Sequence, residues 1–297
     1  MLQEAMIDSN RKQRLIRLAE AVRGDHPLHP IEGASVAGVD LGTADIVFVV
    51  LDESGEPVGG YLEWAEVVRD GVVVDFVGAR NILQRMVKNA EEALGRPIER
   101  CSTGYPPGTD PDLSEHVVRD VGLEIGAVLD EPTAAAKALG VSDGIVVDIG
   151  GGTTGISVLE SGKVVYSADE ATGGRHLSLV IAGAHKIPYA EAERRKRLEG
   201  GRQFLNVVRP VIEKMASIVK SHVAGVSQSQ PCVLVGGTPQ LEGFQEIFEE
   251  ELGRRVEIPP EPLFATPLGI ALAGLELRRS PGPRTGAGRS TPAVSLR

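Results

Sequence analysis

Two aspartates occupy matching contexts in the chain. Val39-Asp40-Leu41-Gly42-Thr43-Ala44 leads into an apolar run over 46–51 and a Ser54-Gly55 pair, and Val147-Asp148-Ile149-Gly150-Gly151-Gly152-Thr153 leads into Ile156-Ser157-Val158-Leu159 and a Ser161-Gly162 pair. Each copy reads as a strand with Asp near its end, a tight Gly/Thr turn, and a second strand. Glycine lets a ligand approach the backbone, and gathered N–H groups in such a turn make an anion nest suited to phosphate. The neighbouring carboxylates would repel a bare phosphate, so a divalent cation held through water is expected between them. One copy alone would read equally well as an ordinary β-turn. Two copies, a domain's length apart, predict two related lobes whose hairpins grip a polyphosphate from opposite sides.

Two other phosphate-binding motifs are excluded. Gly150-Gly151-Gly152-Thr153-Thr154-Gly155 satisfies G-x-G-x-x-G, but that fingerprint opens a helix, whereas Ile156-Ser157-Val158-Leu159 continues as a strand. A Walker A loop needs Gly-Lys-Ser/Thr, and Gly162-Lys163 is followed by Val164.

Runs of Val, Ile and Leu bounded by Gly and Asp alternate with helical patterns, which predicts α/β architecture. Helices are expected over 79–94, 210–223 and 241–252. In the second, Val211, Ile212, Met215, Ile218, Val219 and Val223 share one face, with Pro210 suited to the first turn. The first 22 residues predict a short helix with a Leu2, Met6, Leu15, Leu18 and Val22 stripe, which could dock on a partner protein or equally be disordered. The expected organisation is an N-terminal helix and linker (1–34), a first lobe (35–142), a second lobe (143–278) and a disordered tail (279–297) rich in Gly, Pro, Ser, Thr and Arg. His26-Pro27-Leu28-His29 lacks further ligands and is read as linker, not metal site.

The chain has 297 residues, enough to bury its cores without disulfides. Cys101 and Cys232 stand far apart with no metal-binding spacing, as expected of free thiols in a reducing cytoplasm. A formal net charge of -10, from 41 acidic and 31 basic residues, disfavours nucleic acid and anionic membrane as partners. The N-terminus, interrupted by Glu4, Asp8, Arg11, Lys12 and Arg14, reads as neither a signal peptide nor a membrane span.

With Val233-Leu234-Val235-Gly236-Gly237-Thr238 added, the two hairpins resemble the phosphate and adenosine motifs of the actin-like ATPase superfamily, which includes MreB, sugar kinases and DnaK-type chaperones. Glu131-Pro132-Thr133-Ala134-Ala135-Ala136 is similar to the helix (131–140) connecting the lobes, and Thr266-Pro267-Leu268-Gly269-Ile270-Ala271 to a second connecting helix. Arg69-Asp70-Gly71-Val72 and Ala192-Glu193-Arg194-Arg195-Lys196 look MreB-like, while the whole pattern, with Tyr105-Pro106-Pro107-Gly108, Tyr166-Ser167-Ala168-Asp169-Glu170-Ala171-Thr172-Gly173-Gly174 and Glu213-Lys214-Met215-Ala216, is most similar to a chaperone-like family of ethanolamine utilisation. The resemblance implies a two-lobed, ribonuclease H-like fold, each lobe a mixed sheet flanked by helices.

It also implies a site for ATP or ADP with Mg²⁺. Asp40 and Asp148 would hold the metal through its waters, and Gly42, Thr43, Ala44, Gly150, Gly151, Gly152 and Thr153 would hold phosphates. Gly173, Gly174, Gly236, Gly237 and Thr238 would shape the nucleoside pocket, with Glu193 and Lys196 at the ribose. Glu131, with Asp148, would serve hydrolysis by orienting water. Glu131 could instead cap its helix, Glu193 and Lys196 could lie on a solvated face, and His176 could serve a helix start or the core.

Gly155 stands where MreB and DnaK-type proteins usually carry Asp. The short 197–209 stretch implies a reduced outer subdomain in the second lobe, and no peptide-binding domain follows residue 274. The function implied is a nucleotide-driven, slowly hydrolysing, chaperone-like switch acting on an enzyme or microcompartment component in the cytoplasm. A filament or scaffold protein of the MreB/FtsA kind is the alternative, and a small-molecule kinase a more remote one.

Overall fold

In the first half of the chain, helix α1 (Ser9–Arg23) precedes strands β1 (Val36–Leu41), β2 (Asp45–Leu51), β3 (Pro57–Trp64), β4 (Val68–Arg69) and β5 (Val72–Val73); α2 (Phe76–Leu94), β6 (Arg100–Tyr105), α3 (Asp112–Asp120), β7 (Glu124–Asp130) and α4 (Glu131–Leu139) follow. The second half comprises β8 (Gly144–Ile149), β9 (Thr154–Glu160), β10 (Lys163–Glu170), α5 (Gly174–His185), α6 (Tyr189–Leu198), α7 (Leu205–His222), β11 (Cys232–Val235), α8 (Phe244–Leu252) and α9 (Ala265–Arg279). The computed structural model describes residues 7–25, 28, 30, 33–69, 72–199 and 201–279. Leu2, Met6, His26, His29, Asp70, Gly71 and the tail from residue 280 lie outside them.

The sequence repeat is a structural repeat. β1, β2 and β3 have 6, 7 and 8 residues, and so do β8, β9 and β10. Both sets fold as antiparallel meanders, and in each the first strand also pairs in parallel with a later one, β1 with β6 and β8 with β11. Parallel neighbours require a crossover, here supplied by helices. The sheets are ordered β3-β2-β1-β6-β7 and β10-β9-β8-β11. The fifth strand of the second sheet is reduced to one parallel bridge, Val233 with Glu257.

Burial on both faces accounts for the unbroken apolar runs in β2 and β8. One core lies under α2 and α3, with Phe48, Leu83 and Val117. Another lies under α5, α7 and α8, with Phe204, Ile212 and Phe248. A third fills the space between the sheets with α1, α4 and α9, including Leu15, Leu18, Ala135, Val233 and Leu268. There α4 and α9 cross so closely that any side chain at Gly269 would overlap the Ala134 carbonyl. Although it ends the chain's second half, α9 packs on β1, β2, β6 and β7 of the first sheet.

Three sequence expectations are corrected. Pro210 lies inside α7, which begins five residues earlier after a 3-10 turn, Arg202–Phe204; burial of Phe204 and Val208 carries the helix past the missing amide. α8 starts at Phe244, because Thr238–Gln240 forms its own 3-10 turn. The apolar stripe of α1 is not free to dock, since Leu15 and Leu18 are fully buried in the middle core. The helix is tied to both lobes: Arg11 Nη1 donates to the carbonyls of Lys137 and Ala138 at 3.1 and 3.2 Å, and Lys12 pairs with Glu257 at 2.8 Å. Between β10 and α7 lie α5, α6 and the 3-10 turn, with no strand among the described residues, which is the reduced outer part that was expected.

Candidate functional site

A cavity of about 570 Å³ separates the lobes, within the range of small-ligand sites. Asp40, Gly42, Thr43, Ala44, Glu131, Asp148, Gly150, Gly151, Gly152, Thr153, Gly174, Glu193, Lys196, Gly236, Gly237 and Thr238 all line it. Gly173 does not. It lies beneath the second hairpin, where a β-carbon would come within 2.8 Å of the Gly150 and Gly151 carbonyl oxygens.

The hairpins meet across this cavity. A β-carbon on Gly151 would lie 2.7 Å from that of Ala44, and one on Gly152 would lie 2.7 Å from the Thr43 methyl, so neither position has room for a side chain. The start of α5 orients the second hairpin: Gly174 N donates to Gly150 O at 2.9 Å and Arg175 N to Gly151 O at 2.8 Å, while Thr238 Oγ1 donates to Gly150 O at 2.8 Å. Because a trans peptide points its N–H opposite its C=O, these bonds turn the Gly151 and Gly152 amides away from α5. No protein acceptor among the described residues engages those amides or the Thr43 and Ala44 amides. They form a cradle of unspent donors suited to phosphate.

Below the cradle lies a carboxylate cluster. Burial, then Asp148 and Asp45, pushes Asp40 well above the ordinary carboxylate range. Burial, then Asp40, Asp148, Asp169 and Asp130, does the same to Glu131. Burial raises Asp148, with the Thr266 hydroxyl, donating to its Oδ2 at 2.5 Å, opposing the shift. Asp45 is raised to about 7 and Asp169 to about 6, chiefly by burial. Crowded acids of this kind hold their charge only beside a cation.

Among the described residues no group of three or more His, Cys, Asp or Glu is arranged to ligate a metal directly. Asp40 and Asp148, which both line the cavity, are a donor pair of the kind Mg²⁺ uses, since that ion keeps most of its water shell and leans on one or two carboxylates and on phosphate.

Glu131 is not the cap of α4. Asp130 takes that role, accepting from Thr133 N at 3.0 Å and Thr133 Oγ1 at 2.7 Å, which leaves the Glu131 carboxylate to the cavity. Glu193 and Lys196 are largely buried rather than solvated. Glu193 Oε2 accepts from Ser178 Oγ at 2.5 Å and Lys196 Nζ at 2.9 Å, and Lys196 also donates to Gly174 O at 2.9 Å. His176 serves the start of α5, its Nδ1 accepting from Gly173 N at 3.3 Å. Gly236, at φ +90°, passes so close to Asp148 that a β-carbon there would lie 2.5 Å from Oδ1.

Sequence reasoning assigned no role to Asp45, Asp169, Thr266, Trp64 or Arg197. Asp148, Gly155 and Asp169 form one row across β8, β9 and β10, so both aspartates project from the same face, with Pro132 of α4 packed over the gap at Gly155. A β-carbon at Gly155 would lie 3.0 Å from Pro132 Cγ, a tight approach. Only strand register reveals this row.

Two meandering sheets joined by crossing helices over a phosphate-type cradle define a protein of the actin-like ATPase fold. MreB 5 of Spiroplasma citri bound to AMPPNP superimposes with a TM-score of 0.70 over 84% of this chain and 98% of that one; at 16% identity it shows the fold alone. The family described as cell division protein FtsA matches residues 145–269, and the MreB/Mbl protein family matches residues 57–191. Ethanolamine utilization protein EutJ of Escherichia coli K12 is 48% identical over 240 residues, 80% of this chain and 86% of that protein. The crystal structure of EutJ from Carboxydothermus hydrogenoformans matches with a TM-score of 0.84 at 50% identity, covering 89% of this chain and 98% of the other. The chain belongs to the EutJ family.

Proposed function

We propose that the cleft binds ATP or ADP with Mg²⁺ and that the chain is a nucleotide-driven, chaperone-like switch for a protein of ethanolamine utilisation, either an enzyme or a microcompartment component. One observation carries the nucleotide reading: two pseudo-equivalent hairpins, one per lobe, converge with four unengaged amides above Asp40 and Asp148. The AMPPNP- and ADP-bound MreB 5 structures of the same fold support it, and membership of the EutJ family supports the choice of pathway.

Asp40 and Asp148 would hold Mg²⁺ through its waters, where it neutralises the phosphates. The hairpin amides fix the phosphate oxygens, and Glu193 and Lys196 reach the ribose from α6. Glu131, freed from capping, accepts a hydrogen bond from a water directed at the terminal phosphate. A single such acceptor, with Gly155 bare beside it, suits slow turnover. The lobes then differ between nucleotide states, and a partner that prefers one state is captured or released. We place this activity in the cytoplasm; no helix of the described residues is long and apolar enough to cross a membrane.

Titration calorimetry of Mg-ATP and Mg-ADP into the protein tests the site. Saturable binding that weakens at least tenfold in a folded Asp148→Ala variant is expected, and a folded wild type that binds neither nucleotide would overturn the reading. The FtsA and MreB/Mbl matches favour a filament or scaffold as the alternative. Nucleotide-dependent pelleting would decide for it.

A further inference from the structure

At the outer mouth of the cleft the lobes touch again. Trp64, the last residue of β3, receives Arg197 of α6, whose guanidinium carbon stands 4.1 Å from the ring centroid. Trp64 pairs directly across the sheet with Asp45. Lobe one therefore presents an aromatic face on which the Arg197 guanidinium lies, with Asp45 beside it in the sheet. All three residues line the cavity.

This arginine is anchored to the predicted nucleotide contacts. Arg197 Nε lies 3.4 Å from Glu193 Oε1, and the other Glu193 oxygen accepts from Lys196, which donates in turn to Gly174 O. Gly174 N holds the carbonyl of Gly150. One continuous set of contacts thus runs from the cleft mouth to the phosphate cradle. Elsewhere in the cleft, apposition relies on glycine backbones packed against small side chains; at the mouth it relies on a charged group that can withdraw into water without leaving a cavity.

We propose that Arg197 is a latch: seated over the Trp64 ring it holds the lobes closed over bound nucleotide, and its withdrawal limits nucleotide release. This rests on the nucleotide reading above. Arg197 and Trp64 act on the residence time of the ligand and not on the chemical step.

The test is the release of tritiated ADP, preloaded with Mg²⁺ and chased with excess unlabelled ADP, followed by rapid filtration. Arg197→Ala and Trp64→Ala are each expected to speed release roughly tenfold, and the double variant no further than either single one. Arg197→Lys, which keeps the charge but not the planar stack, should fall between wild type and Arg197→Ala. Melting curves identify any variant that is merely unfolded, and Arg197→Lys keeps the test open should an alanine variant fail. Unchanged release in folded variants, or additive effects of the two, would overturn the latch and leave the nucleotide site standing. A wild type that retains no ADP would overturn both.

Discussion

Asp45 carries a carboxyl that burial, the charge of Asp148 and that of Glu193 raise to about 7 against the pull of Arg197. Between roughly pH 4 and 7 the folded protein therefore binds a proton that the unfolded chain has released, so stability falls as pH rises through that window. Asp40, Glu131, Asp148 and Asp169 add in the same direction. The nucleotide-free protein should melt higher at pH 6 than at pH 8, and Asp45→Asn should shrink that difference by roughly a few degrees. Calorimetric scans at the two pH values check this; a difference untouched by the substitution would refute the assignment. Asp40, Asp148 and the glycines were legible in the sequence because the chemistry of a turn is local. Asp45, Asp169 and Thr266 were not, because their significance arises from register and from a helix more than a hundred residues away. Glu131 was legible but ambiguous until Asp130 proved to be the cap.

At the scale of elements, α1 shows how pattern and placement part company. An amphipathic stripe near a terminus reads as a docking helix, yet its apolar face is used inside the molecule. Leu18 is fully buried and meets β3 where Gly60 leaves space for it, with a β-carbon at that glycine falling 2.9 Å from Leu18 Cδ1. Leu18→Ala should therefore cost about 2–5 kcal/mol and lower the melting temperature by roughly 5–10 °C; a surface helix would show almost no change. The strands were better announced, since equal lengths of 6, 7 and 8 residues follow from the repeated run-turn-run pattern. Pro210 misled because proline marks a first turn only when tertiary burial does not extend the helix behind it.

The whole molecule is two related halves whose connecting helices cross between the sheets, with α9 returning to pack on the first. Local pattern predicts two lobes, but the return of α9, the bridging of both lobes by α1 and the contact of Trp64 with Arg197 depend on how the halves face one another. That last contact makes the protein its own optical gauge. Trp64 is the chain's one tryptophan, it is 46% exposed, and a cation lies over its ring. Separation of the lobes would leave the indole in water with no charge above it, so its emission should shift to the red on opening and return to the blue with Mg-ADP, in a signal that Arg197→Ala removes. The opening and closing of the cleft could then be followed in solution, in real time and without a label.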